Sequence, residues 1–207
     1  LVGAEMCIRD SAWKPRSHDF GEIKVDISSV GPLMNRVAGQ VADGVHVHPM
    51  HSMHYIENRL LPEIEEGALI AGRQRDDVDL IVPVFAVAGD TAEERAPWLH
   101  RAKTQIAFYG TTPNYSFQFE DLGFEGVTTA LRDKMGAGDV QGMADTISDE
   151  MLNHFALVST WDEMADRLKD RYKGTASRVV MYLTEEQMRK DPESVDKWGE
   201  VARASRS

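Results

Sequence analysis

Ile23-Lys24-Val25-Asp26-Ile27-Ser28-Ser29-Val30-Gly31-Pro32 decides the fold class, because Leu33, Met34, Val37, Ala38, Val41 and Ala42 follow it at once at helical spacing. The β-branched residues predict a strand over Ile23 to Ser29, and Gly31-Pro32 turns the chain. A proline's fixed φ suits the first turn of a helix, so the amphipathic run that follows is expected to start there. Asp43-Gly44 closes that helix. One strand, one tight turn and one helix make a unit, and the rest of the chain is read for further copies of it.

Val45 and Val47, interleaved with His46 and His48, predict a short second strand. A helix follows with Met53, Ile56, Leu60, Ile64, Ala68 and Ala71 on one face, ending at Gly72. Val78 to Val87 is nearly all apolar, which suits a strand covered on both sides, as in a parallel sheet between helices. Thr91 with Glu94 reads as a capping box opening a helix that runs through Ile106 to Gly110. From about 110 to 156 the chain is glycine-punctuated helix and loop, too long for a simple connection, and is taken as a helical insertion. Thr160 with Glu163 reads as a second capping box, Arg178 to Leu183 as the last strand, and Thr184 with Gln187 as a helix start.

Four strands each followed by a helix predict an α/β fold with parallel strands. A complete eight-stranded (β/α)8 TIM-type barrel needs about 250 residues, so four βα units and an insertion in 207 residues read as a partial barrel. The domain is placed at 21–190, with 1–20 a disordered or artefactual segment and 191–207 a C-terminal tail. Leu1 to Ser11, containing the only cysteine, Cys7, reads like translated adapter sequence, and no argument is built on it.

Composition narrows the function classes. The chain is 42% hydrophobic and 28% charged, an ordinary globular balance. With 23 Lys and Arg against 34 Asp and Glu, the net charge of −11 repels phosphate backbones and anionic membranes as main partners. The longest apolar run, Leu80 to Ala88, is far short of the roughly 20 residues that cross a bilayer. No basic-then-apolar leader is seen, so the cytoplasm is the expected compartment.

Ser28-Ser29-Val30-Gly31-Pro32-Leu33-Met34 followed by Ala38-Gly39-Gln40-Val41-Ala42-Asp43-Gly44 resembles the mid-chain signature of the luciferase-like flavin and deazaflavin oxidoreductases. The likeness continues through Leu61-Pro62, Ala71-Gly72-Arg73, Ile106 to Tyr115, the Thr160 helix and the Arg178 strand, and covers about Ile23 to Leu183. It is strongest to the branch that depends on coenzyme F-420, a deazaflavin hydride carrier. The resemblance implies the C-terminal half of a barrel whose N-terminal half, absent here, supplies contacts to the cofactor ring. Ser159-Thr160-Trp161 stands where the family usually has Gly-Thr-Pro.

Two clusters carry candidate chemistry. Ser28, Ser29, Val30, Gly31 and Pro32 lie where a strand's C-terminal end meets a helix N-terminus. Free backbone N–H groups and the helix dipole favour an anion such as a cofactor phosphate there, although the same residues suit a plain turn. His46-Val47-His48-Pro49-Met50-His51-Ser52-Met53-His54 holds four histidines in nine residues. Zinc or copper would suit such a tract, but no cysteine or carboxylate pair lies beside it, and no metal is assigned. Histidine donates protons and hydrogen bonds near neutral pH, so His48 is the expected catalytic residue and His46 a substrate contact. Tyr109 and Tyr115, at the start of the insertion, are read as walls of a substrate pocket or as the end of a helix.

The expectation is an oxidoreductase that moves hydride between coenzyme F-420 and a small organic substrate, acting as a homodimer. An FMN-dependent monooxygenase of the same fold is the alternative within the enzyme class. A non-catalytic half-barrel that self-associates stands outside it, and a metal-binding module ranks third.

Overall fold

The computed structural model describes residues 23–206. The segment set aside at 1–20, with Cys7, lies outside the described residues. The first unit forms as the sequence implies: strand β1 (Asp26–Ser29), the Gly31-Pro32 turn, and helix α1 (Pro32–Val41) with Pro32 in its first turn. Strand β2 (Gly44–Val47) then pairs in parallel with β1. Strand β3 (Asp79–Ala88) is the hub. Its Ile81 has partners in both β2 and β5 (Arg178–Tyr182), and its Phe85 has partners in both β5 and β4 (Ala156–Ser159). A strand has two edges, so β5 occupies one while β2 and β4 share the other.

All pairings are parallel, and the two sheet faces differ sharply. Val45, Val47, Leu80, Val82, Val84, Ala86 and Ala88 point toward the helix layer and form the main core. That layer comprises α1, α3 (Leu61–Ile70), α9 (Trp161–Tyr172) and α11 (Glu193–Ala204). On the opposite face Phe85 and Val87 are covered by α4 (Ala92–Gly110) and the insertion, whose helices are α5 (Phe117–Glu120), α6 (Val127–Gly136), α7 (Val140–Thr146) and α8 (Asp149–Phe155). Lower on that face Asp26, Ser28, His46, Arg178 and Val180 stay exposed. No helix among the described residues is long and apolar enough to cross a membrane.

Helices α1 and α3 touch backbone to backbone. A Cβ on Gly39 would overlap the Ile64 carbonyl oxygen, and one on Gly67 would overlap that of Arg36. The glycines set this distance, because any side chain would push the two helices apart.

Several expectations change. Among the described residues there are five strands rather than the four expected: Ala156–Ser159 follows directly on α8, at the end of the stretch read as the insertion. The long second helix is split into α2 (Met53–Tyr55), a π-helical segment Ile56–Leu60, and α3. Ile56, Leu60, Ile64 and Ala68 are all fully buried. Spaced four apart, they drift around an α-helix by about 40° per step, and the wider π turn absorbs part of that drift. Ala71, placed on the same face, is exposed beyond the helix end.

The Thr160 capping box does not form. The Thr160 side chain accepts no bond from the helix's first turn, and Asp90 Oδ1 supplies an acceptor for the Trp161 N–H at 3.3 Å. At α4 the Thr91 hydroxyl does accept the Glu94 N–H, at 3.2 Å, while the Glu94 carboxylate reaches back to Asp90 N rather than Thr91 N. The last strand ends at Tyr182, and Leu183 takes a left-handed φ of 64° before α10 (Glu185–Lys190). The stretch read as a tail forms α11, whose Trp198 and Val201 are buried. Trp198 packs edge-on against Trp161 with centroids 5.0 Å apart.

Candidate active site

The turn between β1 and α1 is clamped from below. Tyr55 donates its hydroxyl to Val30 O at 2.8 Å, and Asn35 Nδ2 donates to the same oxygen at 3.4 Å. Burial pushes the Tyr55 phenol up to about 12, so it remains a donor. No side chain caps α1, and Pro32 has no N–H, which leaves the N–H groups of Leu33 and Met34 as first-turn donors without intrahelical acceptors. An uncapped helix N-terminus of this kind accommodates an anion.

Above the turn lies an open groove of about 740 Å³. Val30, Gly31, Pro32 and Asn35 form one wall, His54, Asn58 and Arg59 another, and Asp121 a third. Two buried polar atoms by the turn, Ser29 Oγ and Asn35 Oδ1, have no hydrogen-bond partner, and Asn35 lines the groove. Buried polar atoms are normally paired, so these mark places where a ligand or water belongs. The groove's cation is already engaged: Arg59 forks onto Asp121, with Nη2 to Oδ1 at 2.7 Å, and lies over the Phe117 ring.

A second constellation stands at the C-terminal end of β2. The His48 ring sits between Tyr109 and Tyr115, each centroid 4.7 Å away. The Met50 N–H donates to His48 Nδ1 at 3.1 Å, so a neutral ring carries its proton on Nε2. Burial holds the His48 pKa below the ordinary histidine value, against the opposing effect of the Met50 contact. The Tyr109 hydroxyl meets that of Tyr182 at 2.8 Å. Burial first, then this hydrogen bond, push Tyr109 up to about 12. The result is an uncharged imidazole donor walled by phenol rings, suited to an oxygen on a partly buried molecule.

The remaining histidines do other work. His46 reaches back along the sheet to Asp26, Nε2 to Oδ2 3.2 Å, on the exposed face. His51 is fully buried, with its Nδ1–H on His48 O at 2.9 Å and Tyr172 OH at 3.2 Å from Nε2, and burial lowers it to about 4. It braces the loop that carries His48 against α9. His54 lines the groove.

The structure thus brings together His48, Tyr109 and Tyr115, and separately Val30, Gly31 and Pro32. Ser28 faces the open side of the sheet and Ser29 the helix layer, so neither lines the groove; His46 stands apart from His48. Sequence reading missed Asn35, Asn58, Arg59, Asp121 and Tyr182. Asn35 carried a signal, being a polar residue that interrupts the buried face of α1.

The geometry defines a βα-barrel fragment with its polar groups at the C-terminal ends of the strands. A family model described as luciferase-like monooxygenase matches residues 3–178, and the chain belongs to that family. An uncharacterized protein of Mycobacterium tuberculosis is 32% identical over 168 residues, 81% of this chain and 49% of the relative. The 5,10-methylenetetrahydromethanopterin reductase of Methanopyrus kandleri is 26% identical over 80% of this chain and 46% of its own. The chain spans about half the length of the curated relatives it matches. Among solved structures, the coenzyme F-420 dependent tetrahydromethanopterin reductase of the same archaeon aligns with a TM-score of 0.63 at 23% identity, over 78% of this chain and 46% of that one. That likeness establishes the barrel-type fold.

Proposed function

We propose that this chain forms the half-barrel of a coenzyme F-420 dependent oxidoreductase that moves hydride between the deazaflavin and a small organic substrate, with the cytoplasm as its compartment. The observation that carries the proposal is the pairing of an uncapped α1 N-terminus with a tautomer-fixed His48 at neighbouring strand ends. The position agrees with barrel enzymes generally, whose active sites lie at the C-terminal ends of the strands. The relatives named as reductases, and a glucose-6-phosphate dehydrogenase of Nocardia farcinica described as F-420 dependent and 33% identical over 76 residues, favour the deazaflavin over FMN.

The residues present fit a phosphorylated cofactor through the first-turn N–H groups and the unpartnered Asn35 Oδ1, which accepts from a ligand hydroxyl or N–H. When bound, the deazaflavin supplies the hydride chemistry. Gly31 and Pro32 hold the anionic end close to the backbone, His48 Nε2–H donates to a substrate oxygen, and Tyr109 and Tyr115 keep water from that contact.

Thermal unfolding with and without coenzyme F-420 tests the reading, because a ligand that binds only the folded state raises the Tm. A Cβ at Gly31 meets nothing within 4 Å, so a side chain there starts into open space, and Gly31→Trp is compared with wild type once its circular dichroism spectrum is native. The wild type should gain stability with the cofactor and Gly31→Trp should not; equal gains in both would contradict the assignment.

A further inference from the structure

His51 is the one fully buried histidine of the tract, 1% exposed, and the proposed chemistry does not use it. A ring shut away from water needs a hydrogen-bond partner for each nitrogen, and both are present. Nδ1 lies 2.9 Å from His48 O, and Nε2 lies 3.2 Å from the Tyr172 hydroxyl.

The direction of each hydrogen along these contacts is set by groups that have no choice. A carbonyl oxygen only accepts, so His51 carries its proton on Nδ1 and gives it to His48 O. Burial keeps the His51 ring neutral, which leaves Nε2 with a lone pair, and the Tyr172 hydroxyl donates to it. Burial likewise raises the Tyr172 phenol, which keeps its proton. At the other end a backbone N–H only donates, so Met50 N requires a lone pair on His48 Nδ1 and places that ring's proton on Nε2.

Two anchors hold the residues from His48 to His51. The Met50 side chain is fully buried among Phe85, Ile106 and Phe119. On the other side Tyr172 is buried with Leu168 at the end of α9. Its neighbour Arg171 bonds Ala156 O and Asn153 O, each at 3.0 Å, so this end of α9 is itself fastened to α8 and β4. Between the anchors His51 holds two successive peptides. Its ring takes the carbonyl of the peptide joining His48 to Pro49, and its backbone N–H reaches Pro49 O at 3.2 Å, on the peptide that bears Met50 N.

We propose that His51, oriented by Tyr172, is a positioning residue for His48: by holding these two peptides it keeps Met50 N on His48 Nδ1, and so keeps Nε2–H as the donor the ring presents. The use of that donor toward a substrate oxygen rests on the deazaflavin reading above.

Nuclear magnetic resonance of the ring nitrogens, on the full chain without cofactor at neutral pH, reads the tautomer directly. The His48 pair is identified by its loss in His48→Gln. The wild type should show one protonated and one bare nitrogen on His48. Tyr172→Phe, which removes only a hydroxyl, and His51→Leu should both move the two shifts toward each other as the second tautomer becomes populated. His51→Asn, whose amide still donates to His48 O, should stay close to wild type. Averaged nitrogens in the wild type, an unmoved His48 pair in a natively folded Tyr172→Phe, or averaging in His51→Asn as large as in His51→Leu would each overturn the proposal. Where His51→Leu fails to fold, Tyr172→Phe alone decides. These spectra involve no cofactor, so a fixed His48 in a chain that binds no coenzyme F-420 would contradict the deazaflavin reading and leave the positioning role standing.

Discussion

The phenol oxygens of Tyr109 and Tyr182 lie 2.8 Å apart and tie the last turn of α4 to the end of β5. The contact fixes one of the two rings that flank His48, linking α4 to the sheet at the candidate site. Tyr182→Phe should lower stability by about 1 kcal/mol, a typical net value for one hydrogen bond. It should also lower the Tyr109 ionisation midpoint, which the Tyr182 hydroxyl helps to raise. Ultraviolet titration of the variant checks this, and an unmoved Tyr109 midpoint would show that burial alone sets it.

Gly39→Ala should destabilise the fold by roughly 1–3 kcal/mol, the usual range for overpacking, because its methyl overlaps the Ile64 carbonyl oxygen. Gly67→Ala should behave alike against Arg36. Urea denaturation measures both, and Gly31→Ala, which meets nothing, serves as the control.

Acid sensitivity should trace to His51. Its folded pKa of about 4 lies below the unfolded value near 6.5, so as pH falls through this window the unfolded chain takes up a proton that the folded chain refuses. The stability present above pH 6.5 is therefore lost progressively toward pH 4, by about 3 kcal/mol from this group. His51→Asn, which keeps a donor for His48 O, should flatten the slope of stability against pH in that range. An unchanged slope would assign the acid sensitivity elsewhere.

Asp121→Asn should strengthen binding of a phosphorylated ligand in the groove by roughly two- to fivefold, since it releases Arg59 from its ion pair. The gain should shrink as salt rises. Titration at two ionic strengths checks both statements.

Much of this architecture is written locally. Pro32 at a helix start, the apolar run of β3 and the alternation around His46 are near-neighbour patterns, and all appear in the fold. What escaped depends on distant partners. Four residues sufficed for β4 because Phe85 to Ala88 pair with it, and no periodicity emerges from so short a piece. The acceptor at the start of α9 is Asp90, 71 positions before Trp161, while Thr160 makes no side-chain cap. The α11 helix did carry a signal, since Ser194, Trp198 and Val201 recur at helical spacing, but its charged residues read as a tail.

At the candidate site, residue types were legible and their grouping was not. Tyr109 and Tyr115 reach His48 from the end of α4 and the turn after it, whereas His46, two residues away in sequence, is drawn to Asp26. The Arg59 pair with Asp121 joins residues 62 apart and could not be read from either segment.

The central claim, a deazaflavin site at the α1 N-terminus beside His48, is tested most directly by fluorescence titration of the full chain with coenzyme F-420 and, in parallel, FMN. Saturable binding of coenzyme F-420, weaker binding of FMN, and loss of the first in Gly31→Trp are the expected results. A folded chain that binds neither, or that binds coenzyme F-420 equally well with tryptophan at position 31, would contradict it.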